Sequence, residues 1–221
     1  MTRHSLIDPR GLGEDARHAT VLIMRHPQTA ANAEGVYLGH RVSPLSELGE
    51  TQRDAAVAGL VDWKPDTLMS SPFARCCSIT EHAAEALGLE PIYDERLVEL
   101  CFGELEGKTY ADAVERGIGF PWGPDATAWP CEGGEPIEDF IDRIDSFVED
   151  LRNAEDSIAV VTHGVVIRAL LARLMGMPED RMWRLSVRNV QSVLFELNDG
   201  VADMRAFGIE PHELVTRRSQ P

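Results

Sequence analysis

Three short stretches of the chain carry side chains suited to an oxyanion. They are Arg25-His26-Pro27-Gln28-Thr29-Ala30-Ala31-Asn32, Ser70-Ser71-Pro72-Phe73-Ala74-Arg75 and Thr162-His163-Gly164. Each follows a short apolar run, and in an open α/β sheet ligands sit beyond the carboxyl ends of the strands. Two histidines and two arginines are therefore expected to converge on one rim. Arginine presents a fixed fork of donors, and imidazole acts either as nucleophile or as cation, so an anion with several oxygens suits the set. A single histidine after a buried strand is commonly just a packed residue; two of them, each at a turn, point to chemistry.

The elements that must present these stretches follow from pattern. Residues 20–24 read as an apolar strand, stopped where Pro27 blocks continuation of a central ladder. Residues 67–71 form a second strand closed by Pro72, and residues 157–162 another, which turns at His163-Gly164 into a helix over 165–175 that is apolar nearly all round. Ser46 is an N-cap for a helix whose Leu48, Gln52, Ala55, Ala56 and Leu60 share a face as far as Trp63-Lys64-Pro65. A further helix spans 73–87 and stops at Gly88, and residues 91–94 add a strand. Ile137, Phe140, Ile141, Ile144, Phe147, Val148 and Leu151 recur at three- and four-residue intervals, which defines a long amphipathic helix. Asn198-Asp199-Gly200 joins 192–197 and 201–207 as a hairpin. The prediction is one α/β domain over 20–221, with a mostly parallel central sheet flanked by helices, a C-terminal hairpin, and a loop-rich cap over about 100–135 that holds one short helix near 110–115. The polar residues 1–19 are expected to form a loosely held arm.

Composition narrows the function. The 221 residues are 43% apolar and 26% charged, the profile of one globular domain rather than a disordered chain. The 37 acidic and 21 basic residues leave a net charge of −16, which repels nucleic acid and anionic membrane, so neither is an expected partner and an anionic substrate must meet a local basic cluster. No window approaches the ~18 apolar residues of a membrane span, and the first 19 residues lack a signal peptide's apolar core, so a cytoplasmic location is expected. Cys76, Cys77, Cys101 and Cys131 show neither Cys-x-x-Cys nor zinc-ligand spacing and read as free thiols, with no metal expected. Two phosphate-loop look-alikes fail. Gly103 to Thr109 encloses three residues between its glycines where a Walker loop has four, and Gly11 to Ala16 precedes the first strand instead of following it.

At the three stretches the chain resembles the histidine phosphatase superfamily, the phosphoglycerate-mutase-like proteins. Arg25-His26 with Gln28, Thr29 and Asn32 resembles that family's Arg-His-Gly opening, and Gly39 with Pro44 to Gly49 its next segment. Residues 70–75 resemble the segment of its second arginine, and Arg96-Leu97-Val98-Glu99 with Phe102-Gly103 and Glu106-Gly107 its acid-bearing loop. Gly133-Gly134-Glu135 precedes the long helix, and Val161-Thr162-His163-Gly164 resembles the second-histidine motif. The series runs in order from Thr20 to Phe207.

Carried over, the resemblance implies that His26 is a nucleophile that becomes phosphohistidine, that Arg25, Arg75 and a protonated His163 hold the phosphoryl oxygens, and that Glu99 is the general acid. It implies Gln28, Thr29, Asn32 and Gly164 as substrate-binding positions, and no cofactor or metal. Neighbouring guanidinium charges support the first role, since they keep a histidine nitrogen unprotonated. The implied activity is a phosphatase acting on a small phosphorylated metabolite. A bisphosphoglycerate-primed mutase is the alternative, but members of that kind carry a longer, arginine-bearing cap, and between Gly107 and Glu135 only Lys108 and Arg116 are basic. Trp122 and Trp129, in the same cap, are candidates either to line the pocket or to pack it down. Pro27 stands where the family has glycine, and Val42 where it often has an acid; Pro27 removes an amide donor and fixes φ, which makes a weakly catalytic phosphate-binding module the reading from another class.

Overall fold

The computed structural model describes residues 17–115 and 132–217. Cys131, Arg116, Trp122, Trp129, the Gly11 to Ala16 segment and nearly all of the expected arm lie outside them. In chain order the elements are β1 (His18–Arg25), α1 (Ala30–Glu34), α2 (Glu47–Trp63), β2 (Thr67–Ser70), α3 (Ala74–Leu87), β3 (Ile92–Tyr93), α4 (Tyr110–Glu115), α5 (Ile137–Arg152), β4 (Ser157–Thr162), α6 (Gly164–Leu174), β5 (Ser192–Asn198), β6 (Val201–Ile209) and α7 (Leu214–Arg217). Short 3-10 turns occupy Glu95–Leu97, Gly103–Leu105, Glu179–Arg184 and Pro211–Glu213.

The six strands form one sheet in the order β3-β2-β4-β1-β5-β6. Pairings β3/β2, β2/β4 and β4/β1 are parallel, while β5 runs antiparallel to both β1 and β6. Five strands thus share one direction, as expected for a mostly parallel sheet. The hairpin between β5 and β6 turns on Asp199 and Gly200, both at positive φ (48° and 78°), the primed geometry that matches strand twist.

Side chains alternate across β1, and both faces are covered. Val21 and Ile23 enter the layer made with α5 and α6, where Phe140, Ile144, Phe147 and Leu151 are buried. Leu22 and Met24 enter the opposite layer, with Leu60 and Trp63 of α2 and Ile79 of α3. Each such side chain contributes about 1.5–3 kcal/mol over leaving it in water. Burial on both faces explains why β1 and β4 read as unbroken apolar runs rather than alternating ones.

Two local features differ from expectation. β1 begins at His18, so the last residues assigned to the arm already pair with β5. α1 falls in a stretch expected to be loop; it is a five-residue helix made by a capping box, in which the Thr29 side chain accepts from Asn32 N and the Asn32 side chain from Thr29 N, with Gly35 closing it at φ 71°. The first turn of α2, capped by Ser46 Oγ accepting from Gly49 N at 3.0 Å, lies directly on the loop after His26: a Cβ at Gly49 would overlap the Gln28 carbonyl. No helix among the described residues is long and apolar enough to cross a membrane.

Candidate active site

Arg25 is the last residue of β1, His26 follows it, His163 follows β4, and Ser70 ends β2, so three neighbouring parallel strands deliver the site to one edge of the sheet. The ladder extends one step further: His26 N donates to Thr162 O at 2.9 Å. On the other side the 187–191 loop fixes the same backbone. Asn189 Nδ2 donates to His26 O at 2.9 Å, and Val190, held at φ 56°, donates its N–H to Arg25 O at 3.0 Å.

The protonation of His26 follows from its partner. Its Nδ1 lies 2.7 Å from Pro27 O, which can only accept, so Nδ1 carries the hydrogen and Nε2 is left with its lone pair. Burial first, then the charges of Arg25 and Arg75, hold the imidazole well below the usual histidine range. The proline at 27 supplies the carbonyl on which this depends.

His163 is wholly buried, its ring centroid 5.2 Å from that of His26. Its expected cationic form is corrected by its neighbours. Arg75 Nε, a group that only donates, points at Nδ1 from 3.1 Å, so Nδ1 accepts; Nε2 then carries the hydrogen and donates to Ser71 Oγ at 2.7 Å. The ring is neutral, and burial together with Arg75 keeps its pKa well below the ordinary value. Arg75, in the first turn of α3, also donates to Gly39 O at 2.8 Å and stacks on the Phe73 ring at 4.9 Å. Arg25 donates from Nη1 to Val187 O at 2.8 Å, and its buried Nε has no partner.

Glu99 is 8% exposed, and one oxygen of its carboxylate accepts from Leu100 N at 3.1 Å and from Val165 N, in the first turn of α6, at 3.3 Å. Its main chain is strapped down from two sides: His40 Nε2 donates to Glu99 O at 2.8 Å, and Arg143 of α5 donates to Arg96 O at 2.6 Å while pairing with Glu135 at 2.7 Å.

A cavity of about 220 Å³ opens between these groups, with Arg25, His26, Asn32, Arg75, Glu99 and Gly164 on its wall. Gly164 stands beside Arg25, and a Cβ there would meet its Cζ at 3.4 Å, an ordinary van der Waals contact. Three expected contacts lie off that wall, His163 among them, fully buried beside His26. Thr29 is fully buried and its hydroxyl caps α1, while Gln28 turns its Oε1 to Ser46 Oγ at 2.8 Å; neither is on the cavity wall. One arginine not singled out by any motif is on it: Arg168 of α6. Its signal in the sequence was its place one helical turn after Gly164, a lone charge within Val165–Leu171, where burial is otherwise unbroken. His40, Arg143 and Asn189 gave no comparable signal, because their work is to hold main-chain carbonyls. Cys76, whose Sγ lies 3.6 Å from His163 Nε2, is buried, which pushes its thiol well up and leaves it inert.

Over residues 21–210 the chain matches the sequence profile of the histidine phosphatase superfamily (branch 1). It is 33% identical over 174 residues to glucosyl-3-phosphoglycerate phosphatase of Mycobacterium tuberculosis, covering 73% of this chain and 78% of that one. It is 25% identical over 212 residues to phosphoserine phosphatase 1 of Hydrogenobacter thermophilus, covering 88% and 99%. Among solved structures, the α-ribazole phosphatase of Shigella flexneri superposes with a TM-score of 0.78 at 26% identity, over 86% of this chain and 96% of that one. With a neutral imidazole, flanking guanidinium groups and a carboxylate on one cavity, and a second neutral imidazole buried 5.2 Å from the first, the chain belongs to the histidine phosphatase superfamily and is a phosphohydrolase of it.

Proposed function

We propose that this protein hydrolyses small phosphate monoesters through a phosphohistidine on His26. The observation that carries the reading is the hydrogen bond from His26 Nδ1 to Pro27 O at 2.7 Å, which leaves Nε2 unprotonated beside two guanidinium groups. Nε2 attacks phosphorus in line, the P–O bond to the alcohol breaks, and Glu99 gives its proton to the departing oxygen. Water then attacks the phosphohistidine, Glu99 takes the water proton, and the N–P bond breaks to release phosphate and neutral His26. Arg25 and Arg75 neutralise the equatorial oxygens. His163 serves as a neutral donor, its Nε2–H passing from Ser71 to a phosphoryl oxygen.

The relatives named for phosphoserine, glucosyl-3-phosphoglycerate and α-ribazole esters support a small monoester as substrate. A mutase would also have to hold a second phosphate in the cap, where Lys108 and Arg116 are the only basic residues between Gly107 and Glu135. The test is release of phosphate from an aryl phosphate by wild type, His26→Ala and Glu99→Gln, with labelled substrate to trap the acid-labile, alkali-stable phosphoenzyme. Turnover and label should both vanish in His26→Ala; label that persists there, or a wild type without turnover, would refute the proposal.

A further inference from the structure

We propose that Arg168 reads a second anionic group on the substrate, so that the preferred esters carry a carboxylate close to the phosphoryl group. This rests on the phosphatase reading above and extends it. Arg168 stands four residues after Gly164 and three after Val165, on the face of α6 that borders the cavity, about 6 Å along the helix axis from Gly164. It is one of three guanidinium groups that the described residues place on that wall, and the three differ in what they hold. Arg75 gives its N–H groups to His163, Gly39 and Arg41, and Arg25 gives one to Val187 and keeps a buried Nε without a partner. Arg168 has no hydrogen-bond or ion-pair partner among the described residues, and its Nε is buried. Glu99 is near enough for its charge to act on Arg168, yet the two form no ion pair. Buried donors are almost always matched, so a guanidinium on the cavity wall with no partner among the described residues points to an acceptor that arrives with the ligand.

Charge counting leads to the same place. Among the described residues three guanidinium groups line the cavity, and both imidazoles are neutral by their hydrogen bonds. An ester dianion supplies two negative charges, and Glu99 must carry its proton when it acts as acid. One positive charge then stays unbalanced, and Arg168 is the guanidinium that holds no partner among the described residues. A carboxylate on the alcohol part balances it, and the planar fork of Arg168 fits that group with two parallel hydrogen bonds.

The test compares 3-phosphoglycerate with glycerol 3-phosphate, which differ only in a carboxylate for a hydroxymethyl group, in wild type, Arg168→Met and Arg168→Lys. Wild type should favour the carboxylate through KM, and Arg168→Met should lower the ratio of the two kcat/KM values by roughly 10- to 100-fold, with Arg168→Lys between. A wild-type ratio at or below one overturns the inference, as does an unchanged ratio in Arg168→Met with both esters slowed together, which would make Arg168 a positioning group for Glu99. If Arg168→Met shows no cooperative thermal transition, the wild-type ratio and Arg168→Lys decide. A wild type that phosphorylates His26 and hydrolyses both esters equally removes this inference alone; one that does neither removes the phosphatase reading and this with it.

Discussion

Replacing Ser71 by alanine tests the protonation assigned to His163. Ser71 Oγ accepts from His163 Nε2 at 2.7 Å and from Phe73 N at 3.3 Å. His163 is 0% exposed, so without the hydroxyl its N–H has no water to turn to, and an orphaned buried donor costs about 1–3 kcal/mol. The longer bond at the N-terminus of α3, on partly exposed backbone, adds about 0.5 kcal/mol at most. The expected loss is therefore about 2 kcal/mol, a large share of the roughly 5–15 kcal/mol that holds a domain together. Urea unfolding at pH 7.5 measures it, and a double-mutant cycle with His163→Phe isolates the pair, because a chain without the donor should lose little more when the acceptor goes. Nitrogen-15 spectra of the histidine rings give a second reading, with hydrogen on Nε2 of His163. A loss below about 0.5 kcal/mol in Ser71→Ala, or a ring proton found on Nδ1, would refute the assignment.

Two further outcomes follow. His26 and His163 both bind protons less readily in the folded protein than in the unfolded chain, so the stability tied to their neutral rings is complete above about pH 6.5 and drains away as pH falls towards their folded values, by up to about 1.4 kcal/mol per pH unit for each ring. Denaturation midpoints between pH 7.5 and 5.5 should decline less steeply in His26→Gln than in wild type, and parallel slopes would contradict the argument. Gly49→Ala drives a methyl group into the Gln28 carbonyl and should cost about 1–3 kcal/mol or more, read as a lowered melting temperature; a neutral result would mean that the first turn of α2 does not sit where described.

The sheet was readable because its central strands are buried on both faces, so that apolar runs ending in Pro, Gly or His mark their bounds; β4 falls on the expected residues 157–162. α1 was not, since five residues give no period and its existence depends on two side chains exchanging hydrogen bonds with each other's backbone. The same capping box takes up the Thr29 hydroxyl: a motif position tells that a hydroxyl is needed but not which group uses it. Arg25, His26, Arg75 and Glu99 came together on one cavity because strand ends and a loop bound to α6 leave them few places to go. The charge of His163 lay beyond the sequence, being set by a guanidinium 88 positions away in the chain. No motif marks Arg168, the one charge between Val165 and Leu171 of a helix that is otherwise apolar there, and its place on the cavity shows only in the fold.

β2, β4 and β1 are consecutive rungs of one ladder, and neighbouring rungs lie about 4.8 Å apart. The 5.2 Å between the imidazole centroids is thus inherited from the hydrogen-bond spacing of the backbone. Lengthening any surface loop leaves it alone; altering it means breaking the run of pairs from Thr20↔Ser157 to Arg25↔Thr162. A scaffold of this kind can exchange one cap for another, and with it one clientele for another, while the spacing that governs its chemistry stays the same.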